Sequence, residues 1–245
     1  MSNYKTALLS TLFLANSAIY AAEPTQGWYA GFFGGVNYTP SLNFNFYTPN
    51  FNLINGGNSN LFLPNGLNQG RLQYQDIGGN AGFQIGFRCN YFRFEGEFLY
   101  NYSGYDKLRI NGRTLPRSGR FNNFSMKGNT TLAGGLANAY YEFYEDGTDP
   151  TWVPYVGLGL GYTYMQNQLK YYYNDYNLNQ YYNKISNSYA IGQAIVGINY
   201  FYSDDAAVGL DLRYATTGTL KHSNERFAVV ALNVVFNYSF DEGMY

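Results

Sequence analysis

Seven ionisable residues interrupt otherwise alternating apolar segments: Arg88, Arg93, Glu95, Glu97, Lys127, Asp211 and Arg213. Charges of both signs, gathered on one face of a closed sheet, can do one of two things. They line an ion path, or they neutralise one another in a salt-bridge network that plugs the lumen. Unpaired buried charge is costly, and four cations stand against three carboxylates here, so the network is the expectation. A second candidate is His222, the single histidine, with Ser223 and Glu225 nearby. Such a trio is the equipment of nucleophilic catalysis. It lies in a connection, however, and not on a strand that would hold it rigidly, so no enzyme is expected. Gly157-Leu-Gly-Leu-Gly161 has glycines spaced like a nucleotide loop. It sits inside an alternating strand with no helix after it, so that fingerprint fails. Cys89 is the sole cysteine, which leaves no internal disulfide, no cysteine-based metal site, and no expected cofactor.

Two connections carry contact chemistry. Ser103–Asn123 holds Lys107, Arg109, Arg113, Arg117 and Arg120. These would contact phosphate groups or acidic glycans, or would simply be a solvated basic loop. Gln166–Ser188 holds Tyr171, Tyr172, Tyr173, Tyr176, Tyr181 and Tyr182 among asparagines. Tyrosine gives amphipathic contact area at low entropy cost, as in binding loops. The alternative is that these residues extend the strands and form an outer aromatic girdle. The Asn- and Phe-rich stretch Pro40–Gln69 reads equally as an adhesive tip or a plain loop.

The elements that must position these groups are strands. Only 13% of the 245 residues are charged, against roughly 25% in an ordinary soluble domain. Aromatics make up 20%, with 28 Tyr and 28 Gly, yet the mean hydropathy is −0.33. No segment beyond the N-terminus approaches the roughly 18 apolar residues of a spanning helix. The net charge of −1 offers no field for nucleic acid. At the N-terminus, Lys5 precedes an apolar run from Ala7 to Ile19, which ends in Tyr20-Ala21-Ala22. That is the pattern of a secretory signal, cleaved after Ala21 or Ala22. The expected organisation is a signal over 1–22 and one barrel domain over 23–245.

Period-two alternation marks eight strands: about Gly27 to Tyr38, Ile77 to Arg88, Tyr91 to Tyr102, Phe124 to Phe143, Tyr155 to Met165, Tyr189 to Phe201, Val208 to Tyr214 and Leu232 to Phe240. A two-residue turn at Cys89-Asn90 is expected between the second and third. The phase of the fourth is ambiguous beyond Leu136, where a bulge is a candidate. One face of the strands carries all the charge, and the other carries Phe, Tyr, Leu, Val and Ile. An eight-stranded barrel is only just wide enough for its interior to be filled by side chains, so the bulky face belongs outside, toward lipid. Open sheet edges are not tolerated in hydrocarbon, so the sheet must close. Connections alternate long and short, as in outer-membrane barrels with short periplasmic turns and longer external loops.

The segments Gly27-Trp-Tyr-Ala-Gly31, Asn138-Ala-Tyr-Tyr-Glu-Phe143, Pro154-Tyr-Val-Gly-Leu-Gly-Leu-Gly-Tyr162 and Gly209-Leu-Asp-Leu-Arg-Tyr214 resemble the eight-stranded outer-membrane surface antigens of rickettsial type, within the wider OmpA/OmpX-like small barrels. The resemblance implies an all-β, antiparallel, up-and-down transmembrane barrel with both termini periplasmic. It also implies roles in adhesion, host interaction or envelope integrity. The expected partners are outer-membrane lipid and lipopolysaccharide, the assembly machinery and host surface molecules; nucleic acid is not among them, and a monomer is expected. A narrow transport barrel for small or apolar solutes is the alternative. The assembly signal is expected at a terminal aromatic, Phe240 or Tyr245.

Overall fold

The computed structural model describes residues 24–48, 66–116, 124–144, 152–173, 179–220 and 225–240. In chain order the strands are β1 (Gly27–Tyr38), β2 (Leu42–Thr48), β3 (Gly66–Tyr74), β4 (Gly78–Cys89), β5 (Phe92–Ile110), β6 (Arg113–Pro116), β7 (Phe124–Glu142), β8 (Trp152–Tyr173), β9 (Asn179–Ser203), β10 (Ala206–Thr219) and β11 (Arg226–Ser239). The signal segment lies outside the described residues.

Eight of these strands close a ring, β1-β4-β5-β7-β8-β9-β10-β11, and every pairing within it is antiparallel. Closure is made by β1, where Phe32 lies opposite Phe236 of β11 on one side and Phe83 of β4 on the other. The remaining strands, β2, β3 and β6, pair with each other or with the upper part of β5. Thr25 near the start of the described chain donates its backbone N–H to the Asp204 carbonyl, and the Tyr144 hydroxyl donates to the Asn90 carbonyl. Both ends of the described chain and the short turns therefore share one end of the barrel.

The two-residue turn falls at Asn90-Tyr91, not at Cys89-Asn90, because Cys89 pairs with Phe92 and Arg88 with Arg93. The physical reason is Asn90, whose φ of 51° lies in the left-handed region that Asn tolerates better than most residues. The fourth predicted strand needs no bulge: β7 pairs β8 in continuous register from Phe124 to Glu142. Its even-numbered residues face inward, among them Leu132, Leu136, Asn138, Tyr140 and Glu142, all buried.

Three predicted loops contain strands among their described residues. β5 continues to Ile110 and folds back through Asn111-Gly112 into β6. These two residues have φ of 48° and 82°, the paired positive values of a type I′ hairpin turn. β8 runs on to Tyr173 and β9 starts at Asn179, so the ladder reaches through most of Gln166–Ser188. β2 and β3 form a hairpin within Thr39–Gln75. Apolar/polar alternation disappears in these extensions because neither face touches lipid, while the backbone ladder continues unchanged.

The outward face is exposed and apolar. Leu158, Leu160 and Leu210 occupy its middle, with Trp28, Trp152, Tyr200 and Tyr238 toward the short-turn end and Tyr38, Tyr100, Tyr162 and Tyr214 toward the other. Ten residues along β8 separate Trp152 from Tyr162, which at roughly 3.3 Å per residue and a tilt of about 40° spans about 25 Å.

Inward glycines make room for large neighbours. A Cβ on Gly157 would lie 2.3 Å from the Tyr140 ring. Gly157→Val is expected to overpack this contact and cost about 1–3 kcal/mol, read as a lower urea midpoint of the folded barrel in detergent micelles. Gly135→Ala faces open space, its Cβ 3.9 Å from the nearest atom, and should leave the midpoint unchanged.

Candidate functional site

Six of the seven charged residues singled out in the sequence converge inside the barrel, all buried: Arg88, Arg93, Glu95, Glu97, Asp211 and Arg213. Strand alternation aims them there, and ring closure brings residues distant in sequence into contact. They form two clusters.

The cluster nearer the short turns centres on Glu142, whose side chain is fully buried. Arg88 donates from Nε to Glu142 Oε2 at 2.9 Å and from Nη1 to the Thr25 carbonyl at 3.1 Å. Arg93 Nε stands 3.5 Å from Glu142 Oε1 and 3.6 Å from Glu95 Oε1. The Tyr29 hydroxyl donates to Glu95 Oε1 at 2.5 Å. The Arg93 guanidinium also packs over the Tyr140 and Tyr155 rings, 4.2 and 4.8 Å from their centroids, where ring quadrupoles attract a desolvated cation.

In the second cluster, Arg213 bridges two carboxylates. It donates from Nη1 to Glu97 Oε2 at 2.7 Å and from Nη2 to Asp211 Oδ2 at 2.8 Å, with its Cζ 4.0 Å above the Phe33 ring. Asn138 donates to Glu97 at 2.8 Å, Gln193 donates to Asn138 Oδ1 at 2.9 Å, and Asn233 donates to Asp211 at 2.7 Å. Asn80 in turn donates to Asn233 at 2.6 Å.

Lys127 is the exception. It shares the odd-numbered, outward face of β7, is exposed, and pairs in register with Lys170 of β8 beyond the aromatic rim. The expectation that it belongs to the lumen is therefore corrected. Glu142 takes a place that sequence reading missed because the phase of β7 was ambiguous; continuing the even-numbered alternation from Asn138 through Tyr140 identifies it. Among the described residues, the lumen thus holds three arginines, Arg88, Arg93 and Arg213, against four carboxylates, Glu95, Glu97, Glu142 and Asp211.

The inward face is not polar throughout. Above the ion pairs it becomes mixed, with Phe33, Leu99, Leu132, Leu136, Met165, Ile191, Phe227, Val229 and Val235 in one buried cluster beside buried, uncharged Asn37, Asn101, Ser103 and Thr130. A cavity of about 20 Å³ lies where the tiers meet, lined by Arg213, Gln193, Leu99, Ile191 and Val229; it holds no more than about one water. Tyr74 and Tyr105 join this cluster from above, their hydroxyls 3.2 and 3.1 Å from Thr130 Oγ1. Burial, together with the neighbouring Tyr105 phenol, holds the Tyr74 phenol above its ordinary range despite the Thr130 hydrogen bond.

The contact residues from the loops are placed as follows. Lys107 and Arg109 are exposed on the extension of β5, with Arg71 of β3 directly opposite Arg109. Lys107 Nζ lies 3.2 Å from Asp106. Arg113 falls on β6 opposite Ile110, while Arg117, Arg120 and Tyr176 lie outside the described residues. Tyr171 pairs with Tyr181 and Lys170 with Tyr182, and Tyr172 and Tyr173 continue β8. Tyr171 stands nine residues beyond Tyr162 on β8, roughly 20 Å farther along the barrel axis, so these tyrosines are not the rim girdle. His222 and Ser223 lie outside the described residues. Glu225 accepts hydrogen bonds from Asn43 N at 2.7 Å and Asn43 Nδ2 at 2.8 Å. Among the described residues, no group of His, Cys, Asp and Glu could hold a metal ion.

Fold and site together define a closed eight-stranded antiparallel barrel with an ionised, filled lumen. No family model matches the sequence, and no curated protein matches it. Similar solved structures include Neisserial surface protein A (TM-score 0.47, 13% identity, covering 87% of this chain and 97% of that one). OprG from Pseudomonas aeruginosa is also similar (TM-score 0.47, 10% identity, 90% and 99%), as is Ail of Yersinia pestis (TM-score 0.41, 9% identity, 87% and 100%).

Removing one partner of a buried ion pair strands the others. Arg213→Met is expected to destabilise the barrel by about 3–5 kcal/mol. Lys127→Met, on the exposed face, should change stability by less than about 0.5 kcal/mol. Urea titration of the folded barrel in lipid vesicles reads both.

Proposed function

We propose that this chain is an outer-membrane barrel of a Gram-negative bacterium, with periplasmic termini, whose role is structural and adhesive. The observation that carries this reading is the closed lumen. An ionised tier and an apolar tier fill it in series, so the part left free to act is the β-structure raised beyond the aromatic rim. Support for the location comes from the apolar band of about 25 Å between two aromatic girdles, a dimension that matches an outer-membrane barrel. The described outward residues within that band carry no charge. The secretory-type N-terminus agrees with export.

The adhesive surface is the basic face formed by Arg71, Lys107 and Arg109, all exposed. Clustered guanidinium and ammonium groups suit sulfated or carboxylated glycans on a host surface. A catalytic role finds no support in Glu225, whose carboxylate is occupied by Asn43.

Membrane fractionation with heat-modifiable gel mobility tests location and closure together. In planar bilayers the protein should give no steady single-channel current; a large, stable conductance would establish transport instead. An R71Q/K107Q/R109Q variant should fold normally and lose at least about tenfold in affinity for a heparin-type glycan. Unchanged affinity would remove the basic face from the reading.

A further inference from the structure

The outward face of β7, β8 and β9 differs from the rest of the wall. Elsewhere large and small outward residues are mixed: Phe32 lies between Phe236 and Phe83 and Leu212 between Val196 and Leu232, while Ile85 lies between Ala30 and Gly96. On β8, four successive outward residues above Val156 are each flanked on both sides by small ones. Leu158 lies between Ala139 and Ala194, Leu160 between Ala137 and Gly192, Tyr162 between Gly135 and Ala190, and Tyr164 between Ala133 and Ser188. β8 is therefore a ridge with a groove along each side. The exposures of Leu158, Leu160 and Tyr162, 70%, 75% and 72%, are the consequence.

Both grooves lead upward to a polar, then cationic, surface. Gln166 lies between Thr131 and Ser186, Gln168 between Asn129 and Lys184, and Lys170 opposite Lys127. None of these outward residues is a carboxylate. Lys184 and Lys170 stand four and six residues above Tyr164 by register, about 10–15 Å along the axis. Flexible lysine stems can bring their ammonium groups back toward the interface.

We propose that this wall binds a phosphorylated, multiply acylated glycolipid of the outer leaflet. Its acyl chains lie in the two grooves, its sugars meet Gln166, Gln168 and Asn129, and its anionic groups sit on Lys127, Lys170 and Lys184. The inference rests on the outer-membrane placement proposed above. Charge complementarity selects this occupant. A second copy inserted in the same direction would set its lysines against these. A simple phospholipid brings one phosphate to cations spread over three strands, a width of about 10 Å.

The test uses the folded barrel in phosphatidylcholine vesicles, titrated with fluorescent lipopolysaccharide or with the same lipopolysaccharide after dephosphorylation. Two variants are compared with the wild type. K127Q/K170Q/K184Q removes the charge. G135L/G192L fills the grooves, and both positions accept a side chain, with nearest atoms 3.9 Å away and 3.4 Å away at the flexible tip of Leu160. Each variant, and dephosphorylation alone, should weaken binding to the wall at least about tenfold. Equal binding by the wild type and the lysine variant overturns the proposal. So does a stable dimer that disappears in G135L/G192L. Failure of the membrane placement reads differently: the wild type would not enter the neutral vesicles and would show no heat-modifiable band.

Discussion

The pairing of β1 with β11 is the constraint on which everything else depends. In hydrocarbon an unpaired backbone N–H or C=O has no water to turn to, and each costs several kcal/mol. A sheet of eight strands meets that demand only by returning to its first strand, from Tyr29 opposite Ser239 to Tyr38 opposite Val230. Closure fixes which residues face inward, and the narrow interior then fixes what those residues must do. Inward charges find partners across the lumen or on an aromatic ring, and inward glycines give way to large neighbours.

The lumen that results is layered. Three arginines and four carboxylates occupy the end near the short turns, each held by hydrogen bonds or stacked on an aromatic ring. Uncharged side chains, most of them apolar, occupy the other end and merge with a cluster that continues above the rim through Tyr74, Tyr105 and Leu108. The change from ionised to apolar is abrupt, at Arg213 and Phe33, which touch. An ion entering from above would meet hydrocarbon before it met a charge. A hydrophobic solute entering from below would meet the charges first.

Most of this architecture was legible in the sequence where a strand has one face in lipid and one in the lumen. There the alternation is forced by the environment, and Arg88, Arg93, Glu95, Glu97, Asp211 and Arg213 were assigned inward from it. It failed in two places. On β7 the alternation is diluted by Ala133, Gly134 and Gly135, which fit either face, so the phase was misread: Lys127 was turned inward and Glu142 was missed. Beyond the rim, β8 and β9 have polar residues on both faces, and nothing in a run such as Gln166-Asn-Gln168 separates a strand from a loop. The Asn111-Gly112 turn was the local signal available there. Inward Leu99, Leu132, Ile191 and Val229 give no such signal, because an apolar side chain suits either face of the wall.

Contacts across the lumen join residues that are far apart along the chain: the Arg213–Glu97 ion pair spans 116 positions, and the Asn80–Asn233 hydrogen bond 153. Such contacts cannot form in a hairpin or in half a barrel. Until the last strand docks, these groups must stay hydrated, which a chain already lying in the bilayer cannot arrange on its own. Maturation is therefore biased toward a late, nearly simultaneous locking step, slow for the reason that all long-range topologies are slow, after which the sealed ions resist every motion that would reopen the seam.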